Sequence, residues 1–96
     1  MTFVLTTIYD KKAQTYGPIQ TKKNTAVAAR DFQQECENNQ SALNKFPEDY
    51  CLVILGEYDI EKGIIKPLDK IRILNEAEQY VIKEKQNEEI PFSKSN

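Results

Sequence analysis

At 96 residues, 40% hydrophobic and 29% charged, the chain has the size and composition of one globular domain and is too short for two independent cores. A net charge of −2 argues against a wide basic face for duplex DNA, and the absence of histidine removes the commonest acid–base residue and metal ligand. No apolar run approaches the roughly 18–20 residues that a bilayer span needs, and the start lacks the basic region and cleavage site of a signal peptide. The expectation is therefore no membrane contact and retention in the compartment of synthesis.

Thr2–Tyr9 alternates Phe3, Leu5, Thr7 and Tyr9 with Thr2, Val4, Thr6 and Ile8, and its β-branched density predicts a strand. The polar stretch from Asp10 to Ala13 reads as a turn. A second strand follows over Tyr16–Lys22, where Gly17-Pro18 marks a bulge near its start or an edge position. Asn24 or Thr25 can cap a helix reaching about Asn38, with Ala28, Ala29, Phe32 and Cys36 on one face. Ser41–Phe46 suggests a short helical turn in which Leu43 and Phe46 could anchor the connection to the core, and Phe46-Pro47-Glu48-Asp49 then breaks the chain.

Tyr50–Tyr58 is apolar on both faces, the pattern of a central strand. Asp59–Gly63 looks like a hairpin loop in which Gly63 supplies a positive φ. Gly63–Lys66 would return antiparallel, Pro67 would end the pairing, and Lys70–Leu74 is a candidate further strand. Asn75 with Glu78 has the form of a capping box, and Ala77, Tyr80, Val81 and Glu84 favour a short helix over a strand through Tyr80–Ile82. The expected fold is α+β: a small antiparallel sheet in hairpin–helix–hairpin (ββαββ-like) order. One main helix packs on one face, and a short C-terminal helix or strand follows. The domain spans residues 1–86, and residues 87–96 form a polar tail expected to be mobile.

Catalysis has no visible apparatus, so a non-enzyme without cofactor or metal is expected. The three glycines are far apart, and Ser41, Ser93 and Ser95 lack an evident base. Glu48 and Asp49 fit a solvated turn, and Asp59 with Glu61 lacks the spacing of a calcium loop. Cys36 and Cys51 show no metal spacing and fit two buried thiols better than a disulfide.

Charge is uneven along the chain. Residues 1–23 carry four lysines against Asp10, whereas residues 24–63 carry three cations against eight acids. Single-strand binders combine cationic grooves with exposed rings. The candidate nucleic-acid residues are accordingly Tyr9, Lys11, Lys12, Tyr16, Lys22 and Lys23. The competing reading packs Tyr9 in the core and leaves the lysines to solubilise a turn. A regular hairpin would put Lys22 and Lys23 at the opposite end from Lys11 and Lys12. A small domain with a doubly apolar strand and an edge near Pro18 also has reason to form a homodimer.

Three blocks carry a resemblance: A-x-R-D-F (Ala28–Phe32), L-N-K-x-P-E-D-Y (Leu43–Tyr50), and L-G-E-Y-D with Gly63 after it (Leu55–Asp59). With Ile8-Tyr9-Asp10 and Lys12-Ala13 before them, they resemble the small nonstructural protein of gokushoviruses, single-stranded-DNA microviruses of bacteria, over about residues 3–67. The resemblance implies a protein made during infection in the host bacterial cytoplasm. It would act in viral genome synthesis or packaging by binding single-stranded DNA or the replication and packaging proteins. The alternative is a protein–protein assembly factor that never touches nucleic acid. The resemblance carries over no catalytic residue. In the L-N-K-x-P-E-D-Y block, Asn44, Lys45 and Glu48 are candidate partner-binding residues, against the plainer reading of a helix-to-strand connector.

Overall fold

Thr2–Asp10 forms β1, the strand about which the sheet is laid down in this computed structural model, which describes residues 1–81. On one side β1 pairs antiparallel with Thr15–Tyr16 (β2) and Gln20–Lys22 (β3). On the other it pairs with Tyr50–Asp59, and Ile64–Glu76 continues the sheet beyond. The last two follow Thr25–Glu37 (α1) and Ala42–Lys45 (α2) in the chain and are β4 and β5. The sheet order is β2–β1–β4–β5, with β3 also on β1. Because β1 and β4 are inner strands, Leu5, Thr6 and Thr7 and the run Cys51–Ile54 are buried.

The expected second strand is broken in two at Gly17–Ile19, since Pro18 has no amide to give to a ladder. Two threonines of β1 compensate. The Thr7 hydroxyl donates to the Gly17 carbonyl at 2.8 Å and the Thr6 hydroxyl to the Gln20 carbonyl at 3.3 Å. The edge thereby stays attached through side chains where the backbone ladder lapses.

Helix α1 begins where predicted. Asn24 is extended and its side chain accepts from the Val27 amide at 2.8 Å, satisfying one first-turn donor. Its buried stripe, Ala28, Phe32 and Cys36, clusters with Leu43, Leu52 and Ala77, and Ile8, Tyr50, Leu74, Tyr80 and Val81 pack against it. Phe32 meets Tyr80 edge-on, with centroids 6.1 Å apart. Both cysteines are free and buried as expected, and burial pushes the Cys36 thiol up to about 11. Asp59–Gly63 is the predicted loop: Gly63 has φ 69°, and the Asp59 carboxylate accepts from the Glu61 and Lys62 amides.

Three expectations need correction. Phe46 is exposed and does not anchor the connection; Pro47, in a 3-10 turn over Pro47–Asp49, is the buried residue. Pro67 does not end the strand: β5 runs from Ile64 to Glu76 with Pro67 opposite Gly56, although the pairing lapses directly after it and resumes at Arg72. On an edge strand a missing amide is tolerated. The register shifts between Ile54↔Arg72 and Gly56↔Pro67, so residues 68–71 bulge outward opposite Leu55 alone. Here Gly56 is obligatory, since a Cβ would run into the Lys66 carbonyl oxygen and lie 2.8 Å from Pro67 Cα. Thirdly, the cap near the C-terminus is Glu76 with Gln79, not Asn75 with Glu78, and it opens a 3-10 turn over Ala77–Tyr80. Tyr80 is therefore not in a strand. Glu84 and the expected tail over 87–96 lie outside the described residues.

Candidate nucleic-acid interface

The β2–β3 edge gathers the predicted aromatic and cationic residues into one strip. From Lys11 to Lys23 the chain contains no acid, and Lys11 through Thr21 are all exposed. Tyr9 and Tyr16 are directly opposite in the ladder, and their rings lie 4.5 Å apart at 39°. Tyr9 is half-buried while Tyr16 is 51% exposed, so Tyr16 presents a ring to solvent with a second ring beneath it. Neither Tyr9 nor Tyr16 belongs to the α1 core cluster.

The four lysines fall into two kinds. Lys11 donates to Glu76 Oε1 at 2.6 Å, and that hydrogen bond raises its pKa above the usual lysine value. Lys22 pairs with Asp31 at 2.9 Å. Lys12 and Lys23 are exposed and take part in no ion pair among the described residues. Within the molecule, then, two of the four positive charges are already neutralised.

Ladder register fixes their separation. Tyr16 faces Tyr9 and Lys22 faces Val4, five residues apart along β1, or about 17 Å at ~3.4 Å per residue. Lys11 and Lys12 cap one end of the strip and Lys22 and Lys23 the other, as a hairpin requires. The loop at the Tyr end is tightly held: the Asp10 carboxylate accepts from the Lys12 and Ala13 amides, and the Lys11 amide donates to the Asp49 carbonyl at 2.7 Å. Gln14 sits there at φ 60°, a left-handed position uncommon for a side-chain-bearing residue.

Behind the strip, between it and α1, lies a cleft of about 440 Å³. Pro18, Gln20 and Lys22 form one wall, and Asp31 and Glu35 of α1 line the other. The acids face inward from the helix, so a polyanion is favoured on the outer side of the strip alone.

The residues expected to bind a protein partner divide differently. The Asn44 side chain donates to the Cys36 carbonyl at 2.8 Å, closing the C-terminal end of α1. Lys45 and Glu48 are exposed. With Leu43 and Pro47 buried, Tyr50 packed on the core and the Asp49 carbonyl holding the first loop, most of the L-N-K-x-P-E-D-Y block has a structural reason.

The model of the Phage ORF5 protein family matches residues 3–80, which is nearly all of the described chain. The chain belongs to the Phage ORF5 protein family. A curated relative, Protein ORF5 of Chlamydia phage 1, is 30% identical over 90 residues, covering 86% of this chain and 93% of that protein. The resemblance to the gokushovirus protein therefore holds, and its source identifies a phage protein. No solved structure matches the chain. The family match includes both the exposed strip and the connector. Among the described residues no helix is long and apolar enough to cross a membrane.

Sequence reasoning missed one surface. Ile64, Ile65, Leu68, Ile71 and Ile73 of β5 are all at least 39% exposed. Splitting this stretch at Pro67 hid that they share one long edge strand.

Proposed function

We propose that this phage protein acts in viral genome synthesis or packaging as a non-catalytic binding protein, contacting single-stranded DNA, or the machinery that handles it, in the host bacterial cytoplasm. The observation that carries the reading is the strip itself: thirteen residues, Lys11 to Lys23, without an acid, cationic at both ends and with Tyr16 exposed between. A base stacks on Tyr16 above Tyr9, while Lys12 and Lys23 meet phosphates along the strand. The acidic wall of α1 keeps the contact on one side.

The test is a mobility shift of single-stranded DNA at rising salt, with Tyr16→Ala beside the parent. Stacking predicts a loss of roughly 1–3 kcal/mol in binding with thermal stability almost unmoved. No shift at low salt, or equal binding by the variant, contradicts the reading.

The second reading, a protein–protein assembly factor without nucleic-acid contact, draws support from the exposed aliphatic residues of β5. It predicts no salt-dependent shift, since hydrophobic contacts release no counterions.

A further inference from the structure

The break at Gly17–Ile19 turns the edge of the sheet over. Tyr16 lies opposite Tyr9 and Gln20 opposite Thr6, so the edge takes four steps where β1 takes three. Directly opposite residues share a face and successive residues alternate. Ile8 packs with the core beneath α1, so Thr6 and Val4 face the helix, and Gln20 and Lys22 face it with them. Tyr9 and Tyr16 face away. The Lys22–Asp31 ion pair has the same sense, since it crosses from β3 to α1. A strand lying along this edge therefore meets a ring on one side and, on the other, the cleft behind Pro18 and Gln20.

At about 440 Å³ that cleft falls within the ~300–1,000 Å³ of small-ligand sites. Ile8, Phe32 and Leu52 give it an apolar floor. Asp31 is held by Lys22, which leaves Glu35 as the lining acid that takes part in no ion pair among the described residues. Its carboxylate accepts hydrogen bonds and donates none. Such a wall repels phosphates but admits a neutral ring that brings a donor.

We infer that the cleft takes one base of a bound single strand and, through Glu35, selects cytosine over thymine. The inference rests on the strip binding single-stranded DNA. The two pyrimidines match in ring size and differ along one edge, where cytosine presents the N4 amine and thymine the O4 carbonyl beside a methyl. Against Glu35 the amine donates to the carboxylate, whereas the carbonyl sets acceptor against acceptor and leaves both unpaired. The floor receives the ring, Glu35 reads its edge, and the sugar–phosphate chain stays outside with Lys12 and Lys23.

Fluorescence anisotropy of the full chain at neutral pH and low salt tests this with labelled oligomers of equal length: oligo-dC, oligo-5-methyl-dC, oligo-dT and oligo-dU. The parent is expected to bind the two cytosine oligomers about fivefold or more tightly than the other two. Glu35→Gln, whose amide donates as well as accepts, is expected to bring all four within about twofold. Circular dichroism should not change, because Glu35 is exposed. Tyr16→Ala is expected to weaken all four and keep their ratio. Equal binding of the four by the parent overturns the inference and leaves the strip's role standing. So does a preference that survives Glu35→Gln, one that disappears with Tyr16→Ala, or one that follows the methyl, with oligo-dU bound like oligo-dC. Binding of none of the four contradicts the strip's role itself and the inference with it.

Discussion

Along the β2–β3 edge every residue from Lys11 to Thr21 is exposed, yet Tyr16 and Ile19 are its sole large apolar side chains. The β5 edge exposes five aliphatics within ten residues, from Ile64 to Ile73. Both strands face the same hazard, since an open sheet edge invites pairing with another chain. The first edge is interrupted by Pro18 and kept polar, which suits a surface that stays in water or meets a polyanion. The second bends at a bulge and intersperses its aliphatics with exposed Lys66, Asp69, Lys70 and Arg72, a mixed surface in which apolar side chains stand beside charges. The difference is one of composition: one edge exposes almost no large apolar side chains, and the other exposes five.

The largest expected effect lies at the root of the β5 edge. Gly56→Ala drives a methyl into the Lys66–Pro67 backbone, where no flexible side chain can yield. A loss of about 2–3 kcal/mol in unfolding free energy is expected, read by denaturant titration. An unchanged midpoint would mean that β5 moves freely from β4 and that the two edges differ less than described.

On the other edge the corresponding change is smaller. Thr7→Val keeps the shape of a buried side chain but removes the donor to the Gly17 carbonyl. A loss of about 1 kcal/mol is expected, with faster amide exchange in residues 15–21 than in β4. Uniform exchange would show that the backbone alone holds this edge.

How far the two edges could be read from sequence follows from how local their causes are. Strand β1, the Asn24 cap, the α1 stripe and the Gly63 turn are set by neighbours within a few residues, and the structure has them in place. The β2–β3 strip was legible for the same reason: Tyr9, Tyr16 and the lysines belong to one hairpin. What escaped depends on distant partners. Glu76 neutralises Lys11 from 65 residues away, so the split of four lysines into two free and two paired had no local signal. Pro67 reads as a stop until its place on an edge opposite Gly56 is known. Leu43 and Phe46 both read as anchors of the connector; Leu43 is buried, but the 3-10 turn buries Pro47 and leaves Phe46 exposed.

The smallest effect belongs to that distant ion pair. Glu76 raises the Lys11 pKa, so the fold favours the ammonium. The contribution is complete below the ordinary lysine value and is lost as pH rises through the raised one. Both side chains are 38% exposed, so screening leaves only a few tenths of a kcal/mol. Lys11→Met should therefore melt slightly below the parent at neutral pH, and the gap should close at strongly alkaline pH. A gap that widened there would exclude the pair as its cause.

If the β2–β3 strip meets single-stranded DNA, its two unpaired lysines, Lys12 and Lys23, carry the phosphate contacts. The most direct measurement is the slope of log binding constant against log salt for the parent and two double variants. Each phosphate contact contributes about −0.7 to that slope for single strands. The parent is expected near −1.4, because Lys12 and Lys23 are free while Lys11 and Lys22 are held by Glu76 and Asp31. Lys12→Gln with Lys23→Gln should remove most of the slope, and Lys11→Gln with Lys22→Gln should leave most of it. Equal slopes for the two variants, or a parent with no salt dependence, would contradict the account.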